Sequence, residues 1–175
     1  MTDKPEMERL IRVRHLPAGI YRIEATEAER AALAARFGIC AVHSLTATAE
    51  LEAGDGGAVH ATGKLTAEIE QECSVSGEPF ATTVEEPLEL LFTPERDRPA
   101  APDEEVELDE AELDEIAYTG DSFDLGEAVA QTLGLALDPY PQGPDADTAR
   151  AAAGITRDDA PSGPLAEALA GLKLN

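Results

Sequence analysis

Val59-His-Ala-Thr-Gly63-Lys-Leu-Thr-Ala67-Glu-Ile-Glu-Gln71-Glu-Cys73 alternates almost without error: Val59, Ala61, Leu65, Ala67, Ile69 and Cys73 stand at odd positions, and Lys64, Thr66, Glu68, Glu70 and Glu72 at even ones. Successive side chains of a β-strand point to opposite faces, so this pattern predicts a long strand that buries its odd face and leaves its even face in water. Upstream, Ile39 to Leu51 runs through Val42, Leu45, Ala47 and Ala49, and is separated from Val59 by Gly54-Asp55-Gly56-Gly57. Such residues reach positive φ cheaply, which predicts a hairpin turn. Downstream, Ser74-Val-Ser-Gly-Glu-Pro79 breaks the pattern, and Phe80, Thr82, Val84, Leu88, Leu90 and Phe92 take the even positions of a further strand. Pro87 has no N–H to give, so that strand belongs at an edge or carries a bulge. The connections are too short for parallel crossovers, and an antiparallel meander follows.

Toward the N-terminus, Ile11 and Val13 alternate with Arg12 and Arg14, Leu16-Pro-Ala-Gly19 interrupts, and Tyr21, Ile23 and Ala25 resume the period of two. This predicts two short strands around a turn, with Arg12 and Arg14 on one strand face. Thr26 and Glu29 have capping-box spacing, and Gly38 stands where a C-cap is wanted, so a helix is expected from about Glu27 to Phe37. Toward the C-terminus, the stretch from Pro94 to Glu127 carries 14 acidic and two basic residues, which predicts a mobile acidic loop over 94–115. A short strand is expected at Glu115 to Tyr118, and Asp124 with Glu127 should cap a helix through Ala136 whose face is Val129, Leu133 and Leu137. After Asp138-Pro-Tyr-Pro141 the composition predicts a flexible, largely disordered tail over 142–175, with a short helix at 164–172. The expected fold is α+β: a single domain over 1–141 with a bent, antiparallel, barrel-like β-sheet, one helix in its N-terminal half and one in its C-terminal half.

The chain has 175 residues, room for one substantial core. Of its 43% apolar residues 31 are alanine, and only seven residues are aromatic, so Leu, Ile and Val must build that core. The net charge is −23. It is unevenly placed, because residues 1–50 carry seven basic and seven acidic side chains. A neutral, arginine-bearing head therefore precedes a strongly acidic body. That body argues against simple phosphate-backbone binding, which depends on Lys and Arg displacing counterions. The N-terminus lacks the basic start and apolar run of a signal peptide, and no stretch approaches the ~18 apolar residues of a membrane span. Two cysteines are too few for a secreted disulfide framework, so reduced thiols in the cytoplasm are expected.

Several segments together resemble the YceD family, named for accumulation of the large ribosomal RNA subunit, in its alphaproteobacterial type. They are Ala28-Glu29-Arg30-Ala-Ala-Leu33-Ala34-Ala-Arg36-Phe37-Gly38, Gly63 to Pro79, Phe123-Asp124-Leu125-Gly126-Glu127-Ala-Val129, Leu135-Ala-Leu-Asp138-Pro139-Tyr140-Pro141 and Gly163-Pro164-Leu-Ala-Glu-Ala-Leu169. The resemblance implies a bacterial cytoplasmic protein needed for normal levels or processing of 23S ribosomal RNA, with no established enzymatic activity. Many other members carry a Cys-x-x-Cys near Cys73 and further cysteines near Pro139-Tyr-Pro141, a pattern suited to tetrahedral zinc. This chain has Cys73-Ser-Val-Ser76 and no cysteine from Pro139 to Asp147, so no metal or other cofactor is expected.

The chemistry-bearing residues read as follows. Cys73, on the buried odd face, reads as a small packed hydrophobe. His15, His43 and His60 are scattered without ligand spacing, and no pocket that would tune a carboxylate for acid–base work is visible, so no catalytic residue is assigned. Gly54-Asp-Gly-Gly57 lacks the Lys-Ser/Thr of a phosphate loop and the ladder of a calcium loop. Arg9, Arg12, Arg14, Arg22, Arg30 and Arg36 read either as a solvated edge with intramolecular acidic partners or as an RNA or ribosomal-protein contact, with Arg12, Arg14 and Arg22 the RNA candidates. Asp103, Glu104, Glu105, Glu107, Asp109, Glu110 and Glu112 read as a solubilising linker or as an electrostatic dock for a basic partner. The expected function is a non-enzymatic ribosome-biogenesis factor that binds a basic ribosomal protein or assembly factor. Direct ribosomal RNA binding through the arginines is the alternative, and a metal-dependent hydrolase a further one; neither a membrane nor a small-molecule substrate is expected.

Overall fold

The Val59–Cys73 alternation becomes the strand around which the rest is arranged. The computed structural model describes residues 5–17, 19–95 and 114–155. Strand β4 (Val59–Glu72) buries Val59, Ala61, Leu65, Ala67 and Ile69 completely. Gln71 is buried on the same face, and its Nε2 donates to the Asp138 carbonyl at 3.3 Å. Strand β3 (Ala41–Ala53) pairs with β4 antiparallel from Ala41↔Glu70 to Ala53↔Val59, with a bulge between Val42 and Ser44. The turn between them is one turn of 3-10 helix at Asp55–Gly57, with Gly56 at φ 66° and Gly57 at φ 92°. Gly63 has a separate reason for being glycine: a methyl group there would strike the Thr48 carbonyl on the neighbouring strand.

Strand β2 (Ile20–Glu24) lies antiparallel to β3, and strands β5 (Pro79–Pro94) and β6 (Asp114–Tyr118) complete a five-stranded sheet in the order β2-β3-β4-β5-β6. Strands β1 (Leu10–Arg12) and β7 (Ser122–Asp124) form a second, two-stranded antiparallel sheet. The α+β class is as expected, with three corrections to its geometry. The described strands make two open sheets rather than a closed barrel. Strand β6 joins β5 parallel, with Leu90↔Asp114 through Pro94↔Tyr118 in register. The short-connection argument for antiparallel pairing holds for β3 to β5 but not here, because the chain between Pro94 and Asp114 is long enough to return to the same end of the sheet. Finally, the two short strands expected around the turn fall in different sheets: β1 pairs with β7, and β2 with the next strand, β3.

Two helices stand where their caps predict. Helix α1 (Glu27–Phe37) begins at the Thr26–Glu29 capping box and ends at Gly38, at φ 66°. Helix α2 (Leu125–Ala136) begins at Asp124 and buries Val129 and Leu133, with Leu137 packed against the core. The core joins these helices to the sheet through Leu33, Leu45, Leu65, Leu88 and Phe92, and the Phe92 ring stacks on Phe123 with centroids 4.1 Å apart. A third helix, α3 (Ala146–Ala152), forms within the expected tail, with Arg150 paired to Asp147 at 2.8 Å and Ala146 buried. The chain divides into two compact units, Met1–Gln71 with Ala81–Pro139, and Glu72–Phe80 with Tyr140–Asn175. Most of the expected loop over 94–115 and the short helix expected at 164–172 lie outside the described residues.

Candidate functional site

The six head arginines separate into two groups. Arg9 reaches Glu29 with both guanidinium nitrogens, at 2.7 and 3.0 Å, and donates to the Glu24 carbonyl. The Glu29 carboxylate also accepts the Thr26 N–H at 2.8 Å, completing the capping box. The Arg9 hydrogen bonds, with those of Thr26, pull the Glu29 carboxyl down to about 2, and Glu29 in turn raises the Arg9 guanidinium. Arg36 is held between Glu127, through two bonds of 2.9 Å, and Glu6 at 2.8 Å. That contact lowers the Glu127 carboxyl and raises Arg36. Arg30 donates to the Ala25 carbonyl at 2.8 Å. These three arginines are engaged within the fold, Arg9 and Arg36 with acidic side chains and Arg30 with a backbone carbonyl.

Arg12, Arg14 and Arg22 are all exposed and make no ion pair among the described residues. They sit on three different elements. Arg12 lies on β1 opposite Ser122. Strand β1 ends there, and Val13–His15 forms a single turn of 3-10 helix, so Arg14 is not on a strand face with Arg12. At three residues per turn the side chains no longer alternate. Arg22 lies on the outer face of the five-stranded sheet, in register with Thr48, which is in register with exposed Lys64. The resulting row Arg22–Thr48–Lys64 adds a cation that the sequence reading did not include. Its signal was present, since Lys64 is an even-numbered residue of the wet face.

The remaining candidates do not gather into a reactive centre among the described residues. A groove of about 530 Å³ between α1 and the start of β3 is lined by Arg30, Cys40 and His43. The His43 ring nitrogen in it meets Glu70 Oε2 at 3.2 Å rather than the thiol. Cys73 is buried, as expected, but its sulfur is an acceptor: the Ser76 N–H donates to it at 3.5 Å. Hydrogen bonds from the Ser76 side chain and from the N–H groups of Ser76, Gly143 and Val75 lower the thiol to about 7, against the upward push of burial. These positions do not fit the tetrahedral zinc that a Cys-x-x-Cys with further cysteines would suit. Ser76 and Gly143 offer N–H and O–H donors to a single sulfur, and a tetrahedral thiolate site needs further thiolates or imidazoles. Asp103, Glu104, Glu105, Glu107, Asp109, Glu110 and Glu112 lie outside the described residues. No helix among the described residues is long and apolar enough to cross a membrane.

Fold and surface together define a strongly acidic α+β protein whose N-terminal elements carry arginines that make no ion pair among the described residues. The profile of the family described as "Large ribosomal RNA subunit accumulation protein YceD" matches residues 61–172, and the chain belongs to that family. Comparison with curated proteins and with solved structures gives no match.

Proposed function

We propose that this chain is a non-enzymatic ribosome-biogenesis factor, acting in the cytoplasm, that supports accumulation of 23S ribosomal RNA by holding a basic ribosomal protein or assembly factor. One observation carries the reading. The family-matched span 61–172 contains 27 acidic and five basic residues, a net of −22, and leaves out Arg12, Arg14 and Arg22. The family match thus falls on the acidic body of this chain and not on its arginine-bearing head. Such a surface repels phosphates and attracts lysine- and arginine-rich proteins. The dock is assigned to Asp103, Glu104, Glu105, Glu107, Asp109, Glu110 and Glu112, the densest run of carboxylates. In an affinity purification that reads out both proteins and RNA, replacing these seven with lysine should release the basic partner. Unchanged bound proteins would overturn the assignment.

A second reading keeps direct RNA contact, because Arg12, Arg14 and Arg22 are the three head arginines whose side chains make neither a hydrogen bond nor an ion pair among the described residues. It requires affinity for a large-subunit RNA fragment that falls steeply with salt and disappears in the Arg12→Glu, Arg14→Glu, Arg22→Glu variant. RNA recovered only together with a basic protein supports the first reading over this one.

A further inference from the structure

Strand β5 runs from Pro79 to Pro94, yet β6 pairs with it only from Leu90 to Pro94. Between Ala81 and Glu89, therefore, β5 has a ladder neighbour on one side, β4, and none on the other among the described residues. Nine extended residues present roughly 30 Å of backbone whose outward N–H and C=O groups lack a strand partner. The sequence there, Ala81-Thr-Thr-Val-Glu-Glu-Pro-Leu-Glu89, holds three glutamates and no lysine or arginine. Ala81, Thr83, Glu85, Pro87 and Glu89 are exposed, while Thr82, Val84 and Glu86 are half-buried. Glu68 and Glu70 on β4 add carboxylates to the adjoining strand.

We propose that the Ala81–Glu89 edge of β5 is a strand-addition site for an extended, lysine- or arginine-rich segment of the basic protein partner; this rests on the reading of such a partner given above. Backbone hydrogen bonds supply the pairing, and the glutamates select the charge of what pairs. A second copy of this chain is a poor occupant, because Glu85, Glu86 and Glu89 would then face like charges, as negative patterning against edge-to-edge pairing requires. Nucleic acid is repelled by the same residues. Pro87 has no N–H to give, so the C-terminal part of the edge has fewer donors than its length would supply if that residue faces the added strand.

The test uses the full chain and a nine-residue peptide of lysines alternating with valine and threonine. Two isomers of the same charge accompany it, N-methylated on one or the other set of alternate residues. Strand addition predicts slowed amide exchange within Ala81–Glu89 when the parent peptide binds. It also predicts that one methylated isomer, and only one, binds about tenfold or more weakly, since only one set of N–H groups faces the edge. The exposed-site variant Glu85→Lys, Glu89→Lys should weaken the parent peptide as well. Equal binding of both isomers and the parent, or protection elsewhere, overturns strand addition. The broader reading is scored separately, by whether the tagged wild-type chain recovers a basic ribosomal protein or assembly factor. Recovery without strand addition removes the edge proposal alone, whereas strand addition without recovery removes the proposed function.

Discussion

Ser76 turns a packed sulfur into an acidic one. A thiol buried in apolar surroundings titrates above its ordinary value, yet Cys73 is drawn to about 7, first by the Ser76 side chain and then by the N–H groups of Ser76, Gly143 and Val75. The alternation that begins at Val59 correctly buries this residue, but it says nothing about sulfur chemistry. The donors come from a turn and from Gly143, 70 residues further on, and neither is visible in a period of two. In a Cys40→Ser background, where Cys73 alone reports, Ser76→Ala should move thiolate absorbance to higher pH. Alkylation near pH 7 should slow roughly three- to tenfold as the thiolate fraction falls. An unchanged titration would assign the shift to the backbone N–H groups alone.

At the scale of elements, one carboxylate joins the N-terminal segment to the start of α2. Asp124 Oδ1 accepts from the N–H groups of Gly126 at 2.9 Å, Glu127 at 3.1 Å and Arg9 at 2.7 Å. It therefore caps α2 and anchors the chain entering β1, while Leu125 N–H returns to the Arg9 carbonyl. Gly126 is part of the same joint, because a methyl group there would strike the Met7 carbonyl. Loss of an N-cap costs about 1 kcal/mol and at most about 2, and Asp124→Ala also strands the Arg9 N–H. Chemical denaturation should show a loss at or above the upper end of that range, with Asp124→Asn recovering much of it. A loss no larger than an ordinary cap would mean that water replaces the Arg9 contact. The cap itself was legible, as were the Thr26–Glu29 box and Gly38, because capping is written within three or four residues. The pairing of β1 with β7 and the parallel docking of β6 on β5 were not, since each joins segments that no local pattern relates. Helix α3 escaped for the opposite reason: seven residues among Ala, Gly, Pro and Asp give too short a period to read. Among the candidate site residues, the sequence named Arg12, Arg14 and Arg22 as RNA candidates, and their side chains make neither a hydrogen bond nor an ion pair among the described residues. It could not tell that a 3-10 turn would take Arg14 off the strand face of Arg12.

For the molecule as a whole, charge enters twice and with opposite signs. A net −23 means that folding concentrates like charges, and self-repulsion of that kind weakens the compact state. The ion pairs Arg9–Glu29 and Arg36–Glu127 hold back part of the repulsion locally, but 29 of the 36 acidic residues lie beyond the neutral first 50 residues, and most of the described ones make no such pair. Raising sodium chloride from about 20 mM to about 500 mM shortens the screening length from roughly 20 Å to roughly 4 Å. The thermal midpoint of the isolated chain should therefore rise over that range. The attraction between the acidic body and a basic partner is screened by the same ions, so affinity for a partner recovered by purification should fall over the same range. A partner held mainly by burial of apolar surface would not show this divergence, because salt at these concentrations leaves that contribution nearly untouched. Measuring both quantities in one salt series thus separates an electrostatic dock from an apolar one, and a midpoint that falls with salt would show that the carboxylates are neutralised within the fold and are not available to a partner.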